Sequence, residues 1–359
     1  MPTSTQEGTS AAAGPHIAVL GTGAIGAAIG SDMIRAGHDV TFVEQWPDHV
    51  AAMRRGGIRV DTPERSTTTP VHAVHLCDVA TLRRPFDLVF LVVKAYDTRW
   101  ACELVKPVLA PDGVVVAIQN GMTMDDVASI VGAHRSVGAV VEIAANMFTP
   151  GVVDRQVAPS GTWFALGAEE AGPAGVARAE AARDVLRHAG TVEVVDDIRS
   201  SKWMKLVANA AEFLPSAILD LPLRATIEVP GVRAVMDAAG TEALQVGLDL
   251  GHRMVPMFGQ PGLEALGADR YAAGLLDAII GSWTLPHTKV APLHDWLKGR
   301  RAEVDEINGL VAAERRRLGG RAPVNERLAQ IGRRIDRGEL RPGPENVDLL
   351  TAALDSVAA

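Results

Sequence analysis

A glycine-rich turn between an apolar run and a helical segment is the feature that most constrains the fold of this chain. Residues 17–20 read IAVL, which is typical of a buried strand, and the turn follows directly. Within the turn, one glycine permits a tight bend, the next lets a pyrophosphate approach the backbone, and the last allows close packing of helix on strand. We predict a dinucleotide-binding unit with the pyrophosphate at the helix N-terminus; the alternative is a turn that binds nothing. The residues of the turn are Gly21, Thr22, Gly23, Ala24, Ile25 and Gly26.

The hydrophobic pattern divides the chain into two regions. Up to residue 196, short Val/Ile/Leu runs alternate with helix-period segments, whereas later apolar residues recur three or four positions apart. This predicts an α/β domain over residues 15–196, a Rossmann-type doubly wound parallel sheet, followed by an all-helical C-terminal domain over residues 197–359. Residues 1–14 are small and polar, and we expect a disordered tail. The predicted strands after the first are residues 40–44, 88–93, 114–118, 138–143, 163–166 and 192–195.

Composition and charge make several partners unexpected. The net charge is −8, so the chain has no overall attraction for nucleic acid or anionic lipid. The longest apolar run, residues 88–93, is far below the roughly 20 residues that cross a bilayer, and residues 1–14 lack a secretory signal pattern. We therefore expect no membrane association, a cytoplasmic location and a small-molecule substrate. Cys77 and Cys102 lie far apart without His or Cys at ligand spacing, which indicates neither a disulfide framework nor a metal site.

An acidic residue closes the second predicted strand. Glu44 follows Gly21 by 23 residues, close to the offset of about 20 at which a carboxylate binds the adenosine ribose diol. Such a carboxylate repels a 2′-phosphate, and the next residue is Gln45 rather than a basic side chain. The sequence therefore predicts NAD as cofactor in preference to NADP. The alternative is that Glu44 is a solvated charge at a strand end.

Polar residues at strand ends and on one helix face suggest a reactive centre. Lys94 follows an apolar run directly, and Asn120 follows one with only Gln119 between. Both lie at the carboxyl ends of predicted strands, where the crevice of such a sheet opens, and the alternative is a loop polar group that faces water. Lys205 and Asn209 are four residues apart on a predicted helix, so their side chains share a face. A buried lysine can donate a proton to a ketone, but on spacing alone a surface lysine is the commoner outcome.

The chain resembles the ketopantoate reductase family from residue 17 to about residue 346. The motifs that carry the resemblance occur in the family's order: the glycine turn, VKA at residues 93–95, NGM at residues 120–122, KWMKLVAN at residues 202–209 and EVDEING at residues 303–309. The last two are the more specific. The resemblance implies an oxidoreductase with a nucleotide-binding domain and a helical domain that supplies the catalytic lysine.

The family's roles transfer to matching positions. The resemblance implies that Lys205 is the general acid in carbonyl reduction or the base in alcohol oxidation. It also implies that Glu303 hydrogen-bonds the reacting hydroxyl and the cofactor ribose, and that Asn209 positions the substrate. Lys94 and Asn120 would orient the nicotinamide ribose and the substrate. The alternative for Glu303 is a solvated charge on an amphipathic helix.

Three departures from the family pattern lie at the substrate and adenosine ends. Phe213 stands where the family has a second Asn, and Ala291 stands where it has a Ser that binds the substrate carboxylate. Gln45 replaces the family's Arg for the 2′-phosphate. These changes indicate a substrate that is bulkier or less carboxylate-like than ketopantoate.

The sequence is compatible with three functions. The first is an NAD-dependent dehydrogenase for a secondary alcohol, a 2-hydroxy acid or a relative, similar to D-mandelate dehydrogenases. The second is 2-dehydropantoate 2-reductase itself, and the third is a non-catalytic NAD(H)-binding sensor or scaffold. His287, Lys289 and His294 lie near Ala291 in sequence and can supply an anion contact, although structural roles are commoner. A homodimer is expected for such a fold.

Overall fold

The computed structural model describes residues 14–354, and the predicted N-terminal tail lies almost entirely outside the described residues. Eight strands form the main sheet and four shorter strands form a second sheet. The strands are β1 (His16–Leu20), β2 (Asp39–Glu44), β3 (Ile58–Asp61), β4 (Ser66–Thr69), β5 (His72–His75), β6 (Phe86–Leu91), β7 (Leu109–Ala117), β8 (Ser136–Glu142), β9 (Ala145–Thr149), β10 (Val152–Arg155), β11 (Trp163–Ala168) and β12 (Thr191–Val194).

The main sheet has the order β12-β11-β8-β7-β6-β1-β2-β5, and all of its pairs are parallel except β8 with β11. All seven strands predicted for it are present, and the sheet adds the short β5. Strand β1 is fully buried and pairs with β2 on one side and β6 on the other. The chain order reverses beside β1, and ligands of doubly wound sheets bind at the carboxyl ends of strands at such a point.

Between residues 14 and 354 the chain also forms thirteen α-helices. Within residues 198–354, every regular element is helical, as the sequence predicted. The helices are α1 (Ala24–Arg35), α2 (Pro47–Gly56), α3 (Thr98–Val105), α4 (Met124–Val131), α5 (Pro173–Leu186), α6 (Ile198–Ile218), α7 (Leu223–Thr226), α8 (Val232–Asp249), α9 (Ala268–Ser282), α10 (Ala291–Leu297), α11 (Asn308–Arg317), α12 (Pro323–Asp336) and α13 (Val347–Thr351). No helix of the described part of the chain is long and apolar enough to cross a membrane.

Helix α6 is the central element of the C-terminal region. Asp197 caps its N-terminus by accepting a hydrogen bond from the Ser200 N–H at 2.9 Å. Nearly every residue of α6 is buried, because α8, α9, α10 and α12 surround it and its first half packs on β8 and β11. A helix enclosed in this way can carry polar side chains into the interior only where they find partners. Its lysines, asparagine and glutamate therefore mark a buried polar site.

The second sheet, β4-β3-β10-β9, was not predicted from the sequence. Its strands are four or five residues long, and β4 reads STTT with one buried residue, so hydrophobic alternation is weak. The buried Arg155 guanidinium at the end of β10 ties this sheet to the main domain. It pairs with Asp32 on α1 and donates to Thr162 Oγ1 at 2.8 Å and to the Ala189 carbonyl at 3.0 Å.

Candidate active site

The glycine turn has the geometry of an anion cradle. Gly21 has φ +89°, and a Cβ there would meet the Val93 backbone at 2.7 Å. A Cβ on Gly26 would lie 2.2 Å from the Gly21 carbonyl oxygen, so helix and strand approach as closely as the sequence indicated. By contrast, Gly23 faces open space, and no side chain caps the N-terminus of α1. Its free N–H groups fit a pyrophosphate, so these residues suit a dinucleotide.

Glu44 ends β2, as the sequence predicted, and borders a cleft that Gly21 and Gly23 also line. Its carboxylate already accepts hydrogen bonds from the protein. Oε2 accepts the Thr22 N–H at 2.7 Å and the Thr22 hydroxyl at 2.9 Å. Oε1 accepts the N–H groups of Gln45 at 2.8 Å and Trp46 at 3.0 Å. A carboxylate has about four acceptor positions, so Glu44 primarily fastens the glycine turn to the end of β2. Its contact with the ribose diol stays a prediction.

Two basic residues from the C-terminal region cover the part of this cleft that Glu44 borders. The Arg300 guanidinium lies 5.2 Å from the centre of the Trp46 ring, in cation–π range. Lys298 lines the same cleft with Glu44 and Gln45. Sequence reasoning missed both basic residues, because they are about 250 positions away from the strand they cover.

Lys94 joins the two domains through carboxylates. Its Nζ lies 2.5 Å from Asp295 Oδ2 and 3.4 Å from Glu303 Oε2. Burial opposes the charge, but Glu303 and Asp295 raise the pKa of Lys94 above its ordinary value. Glu303 also accepts the Ala95 N–H at 2.8 Å, so it is buried and paired rather than solvated on a helix face.

The two asparagines predicted from sequence meet in the structure. Asn209 Nδ2, on α6, donates to Asn120 Oδ1 at 3.0 Å. This bond orients the Asn120 amide. Asn120 borders the cleft along the glycine turn, called the nucleotide cleft below, and also a second cavity that Lys205 lines. Asn209 Oδ1 is buried and accepts no hydrogen bond from the described residues. A buried acceptor without a donor is costly, so Asn209 is held in place by its contact with Asn120 at some expense in stability.

Lys205 lies between two buried carboxylates. Its Nζ is paired with Glu142 at the end of β8 and lies 3.8 Å from Glu212 Oε1 on its own helix. Burial opposes ionisation, but Glu142 and Glu212 together raise the pKa of Lys205 above its ordinary value. Burial raises the pKa of Glu212 to about 8 despite the nearby lysine. The expected reactive lysine is therefore a buried ammonium ion, not a surface residue.

A second buried lysine occupies the preceding turn of α6. Lys202 Nζ donates to the carbonyl oxygens of Gln119 at 2.8 Å and Ala139 at 3.3 Å. Burial lowers the pKa of Lys202 to about 8, and Glu303 opposes this only in part. Its contacts hold α6 against the segment that follows β7 and against the middle of β8, so Lys202 positions the helix that carries Lys205.

Lys205 faces a cavity of about 110 Å³ that adjoins the nucleotide cleft. Asn120, Ala291 and His294 line both spaces, whereas Glu303 lines only the nucleotide cleft. His287, by contrast, is not among the residues around the cavity. Phe213 and Ala291, the two departures from the family pattern at the substrate end, both line this cavity, together with several further apolar side chains. The apolar residues contributed by the C-terminal region are Phe213, Leu223, Ile279, Trp283, Val290 and Ala291.

Three acidic residues of this site escaped sequence reasoning. Glu142 ends a strand, so the argument that singled out Lys94 and Asn120 applies equally to it. Glu212 is seven residues after Lys205, on the same helix face, and is the only charge between Lys205 and the end of α6. Asp295, in contrast, has no local signal.

Together, an anion cradle at the crevice of a doubly wound sheet and a buried lysine in an adjoining cavity define a pyridine-nucleotide-dependent oxidoreductase with two domains. The family model described as ketopantoate reductase PanE/ApbA matches residues 17–169, and its C-terminal counterpart matches residues 197–336. The chain belongs to the ketopantoate reductase family, as the resemblance implied, and is an oxidoreductase of that family.

Individual relatives are similar over nearly their whole length. The 2-dehydropantoate 2-reductase of Archaeoglobus fulgidus is 27% identical over 90% of this chain and 98% of its own. That of Mesorhizobium japonicum is 26% identical with the same coverage of both chains. A ketopantoate reductase structure from Ralstonia eutropha superposes with a TM-score of 0.75 at 27% identity, covering 90% of this chain and 99% of its own. D-mandelate dehydrogenase with NADH and anilino(oxo)acetate shares the fold, with a TM-score of 0.78 at 18% identity and the same coverage.

Proposed function

We propose that this protein is an NAD-dependent dehydrogenase that interconverts a secondary alcohol and its ketone, with Lys205 as the general acid and base. The observation that carries the proposal is the position of Lys205. Its buried amine lines a largely apolar cavity that meets the nucleotide cleft at Asn120. An amine beside the reacting end of a dinucleotide site can exchange a proton with the oxygen of a bound ketone or alcohol.

The protonation state of Lys205 suits the reductive direction. Reduction of a ketone needs a hydride at carbon and a proton at oxygen, and a bound nicotinamide supplies the hydride. Glu142 and Glu212 raise the pKa of Lys205, so the amine is protonated at neutral pH and stabilises negative charge that develops on the carbonyl oxygen.

The remaining predicted residues have supporting roles in this proposal. Asn209 orients the Asn120 amide, which can then donate to the substrate oxygen at the junction of the two spaces. Lys94 and Glu303 bind the ribose next to the nicotinamide while they link the domains. Asp295 neutralises Lys94 and keeps its side chain in place.

Substitution of Lys205 tests the catalytic assignment. We expect Lys205→Ala to lower kcat for ketone reduction by about 10²–10⁴, the usual contribution of a general acid, with little change in NADH affinity. Lys106→Ala removes an exposed lysine outside the site and is the matched control. NADH titration of both variants separates loss of chemistry from loss of binding. An unchanged kcat in Lys205→Ala would reject the assignment.

We assign NAD rather than NADP as the cofactor. The support is the negative charge of Glu44 at the end of β2 and the absence of a basic side chain at position 45. Because Glu44 also holds Thr22 and the turn, its charge is fixed beside the expected ribose. The Michaelis constants for NADH and NADPH decide the question. A clear NADPH preference would contradict the assignment and would point to Arg300 as the residue that binds the 2′-phosphate.

The second candidate activity is reduction of 2-dehydropantoate. It is favoured by the curated relatives of that name, which match 90% of this chain. Phe213 and Ala291 both line the cavity, so the two polar contacts missing from the sequence are also missing from the site. Growth rescue of a pantothenate auxotroph tests this activity, and we expect no rescue.

We also expect a homodimer in the cytoplasm. The expectation rests on the type of fold rather than on a particular contact. Light scattering of the purified protein measures the oligomeric state, and a monomer at micromolar concentration would contradict it.

A further inference from the structure

We infer that the substrate of this cavity carries no carboxylate and is an uncharged ketone or secondary alcohol with a bulky apolar substituent. The inference rests on the proposed function and narrows it. It departs from the 2-hydroxy acid expected from the sequence. Its basis is the charge and the hydrogen-bond inventory of the cavity.

The cationic groups around the cavity are already neutralised. Among the described residues that line it, the basic side chains are Lys205, Lys289 and His294. Lys205 lies between Glu142 and Glu212, and Lys289 Nζ donates to Asp220 Oδ1 at 2.7 Å. Thus no lysine of the cavity offers an uncompensated positive charge.

His294 does not supply the missing charge. Burial and the nearby Lys298, Lys94 and Lys289 lower its pKa to about 4, so its imidazole is neutral at pH 7. Lys298 and Arg300 line the nucleotide cleft and not this cavity, and the phosphates of a dinucleotide carry the charge that suits them there.

The formal charges of the cavity give no net attraction for an acid. Lys205 and Lys289 contribute two positive charges, whereas Glu142, Glu212 and Asp220 contribute three negative ones when ionised. With Glu212 protonated the sum is zero, and with it ionised the sum is −1. Moving a carboxylate from water into such a cavity costs free energy that no opposite charge offsets.

The two threonine hydroxyls of the cavity already donate to protein acceptors. The Thr284 hydroxyl donates to the Ile280 carbonyl at 2.8 Å, and the Thr288 hydroxyl donates to Gln156 Oε1 at 2.5 Å. The side-chain amides of Asn120 and Gln156 also line the cavity, and a neutral amide suits a carbonyl or ester oxygen.

Apolar side chains cover the rest of the cavity wall. Phe213 and Trp283 are large and rigid, and Ile279 and Val290 extend the same surface. Ala291 contributes only a methyl group at the position where the family pattern has a serine hydroxyl. The substrate that fills this space therefore presents an aryl or branched alkyl group and a single reacting oxygen.

A pair of ligands that differ in charge tests the inference. Mandelate and its methyl ester are alcohols, so the NADH-loaded protein binds them without turnover, and NADH fluorescence or calorimetry gives each Kd. We expect the ester to bind at least about tenfold more tightly, since one buried charge interacts strongly with another at this range. Equal or tighter binding of mandelate, or binding of neither ligand, would overturn the inference.

Charge-neutralising variants distinguish electrostatics from shape. Glu142→Gln removes a negative charge from the cavity, and Glu212→Gln removes one above the Glu212 pKa of about 8. At pH 9 either variant should therefore reduce the ester-to-acid affinity ratio several-fold. Two variants are used in case one fails to fold. Glu103→Gln makes the same chemical change at an exposed position on α3 and should leave the ratio unaltered. An unaltered ratio in both folded cavity variants would contradict the electrostatic basis.

The same ligands separate this inference from the proposed function. Reduction of phenylglyoxylate and of its methyl ester is followed with NADH and NADPH. If neither ketone is reduced while methyl mandelate still binds more tightly than mandelate, the dehydrogenase proposal fails. The inference that the cavity prefers uncharged ligands then still holds. Efficient reduction of the acid in preference to the ester would leave the dehydrogenase proposal intact and reject the inference.

Discussion

Replacement of Glu212 by glutamine should shift the pH dependence of ketone reduction. Lys205 Nζ lies 3.8 Å from Glu212 Oε1, and both groups are buried. Two unit charges about 4 Å apart interact by about 4 kcal/mol at an effective dielectric constant near 20, which corresponds to about 3 pKa units. This is an upper limit, because Glu212 is ionised fully only above its pKa of about 8.

The sign of the effect follows from which form of Lys205 is active. Reduction needs the protonated amine, and Glu142 and Glu212 hold the pKa of Lys205 above its ordinary value. In the wild type, kcat should stay level as the pH rises towards the ordinary lysine pKa of 10.5. In Glu212→Gln the alkaline decline should begin about 1–3 pH units lower, with little change below pH 7.

The assay is the pH profile of kcat at saturating NADH and ketone. Glu103→Gln, on the exposed face of α3, controls for removal of a surface charge. A KM effect without movement of the alkaline limb would mean that Glu212 only shapes the cavity. An identical profile in Glu212→Gln and wild type would refute the assignment of Lys205 as the acid whose pKa these carboxylates set.

Three further predictions concern the scaffold. Gly26→Ala should abolish NADH binding or lower the melting temperature, because the new Cβ would lie 2.2 Å from the Gly21 carbonyl oxygen; calorimetry and thermal melting check this. Asp197→Ala should reduce the free energy of unfolding by about 1 kcal/mol in urea titrations, the usual value of an N-cap. Although burial opposes it, hydrogen bonding lowers the pKa of Asp197, so the cap acts at neutral pH and is lost as the pH falls through that lowered value. Asp295→Asn should raise the Kd for NADH several-fold by releasing Lys94, and an unchanged Kd would contradict the positioning role of Asp295.

The sequence predicted the features of the fold that have strong local signals. Runs of apolar residues located all seven predicted strands of the main sheet, because buried parallel strands must be apolar on both faces. The second sheet was missed because strands such as Ser66–Thr69 carry no alternation. Strand ends were also imprecise: the strand expected to reach residue 93 ends at Leu91, so Lys94 lies in a loop three residues beyond it.

The candidate site was predictable only where one element carried the information. Helical spacing shows that Lys205 and Asn209 share one face of α6. The flanking strand and helix identify the glycine turn. Glu142 meets Lys205 across 63 residues of sequence, so their ion pair depends on tertiary packing. The four hydrogen bonds that Glu44 accepts likewise required the structure, since no spacing rule shows that a carboxylate is already satisfied.

The most direct test of the account is a crystal structure of the protein with NAD(H) and an alcohol or ketone ligand in the cavity. We expect Lys205 Nζ within hydrogen-bond distance of the ligand oxygen, about 2.6–3.2 Å. We also expect the carbinol or carbonyl carbon of the ligand to lie against C4 of the nicotinamide. A nicotinamide bound away from this cavity, or a ligand oxygen out of reach of Lys205, would contradict it.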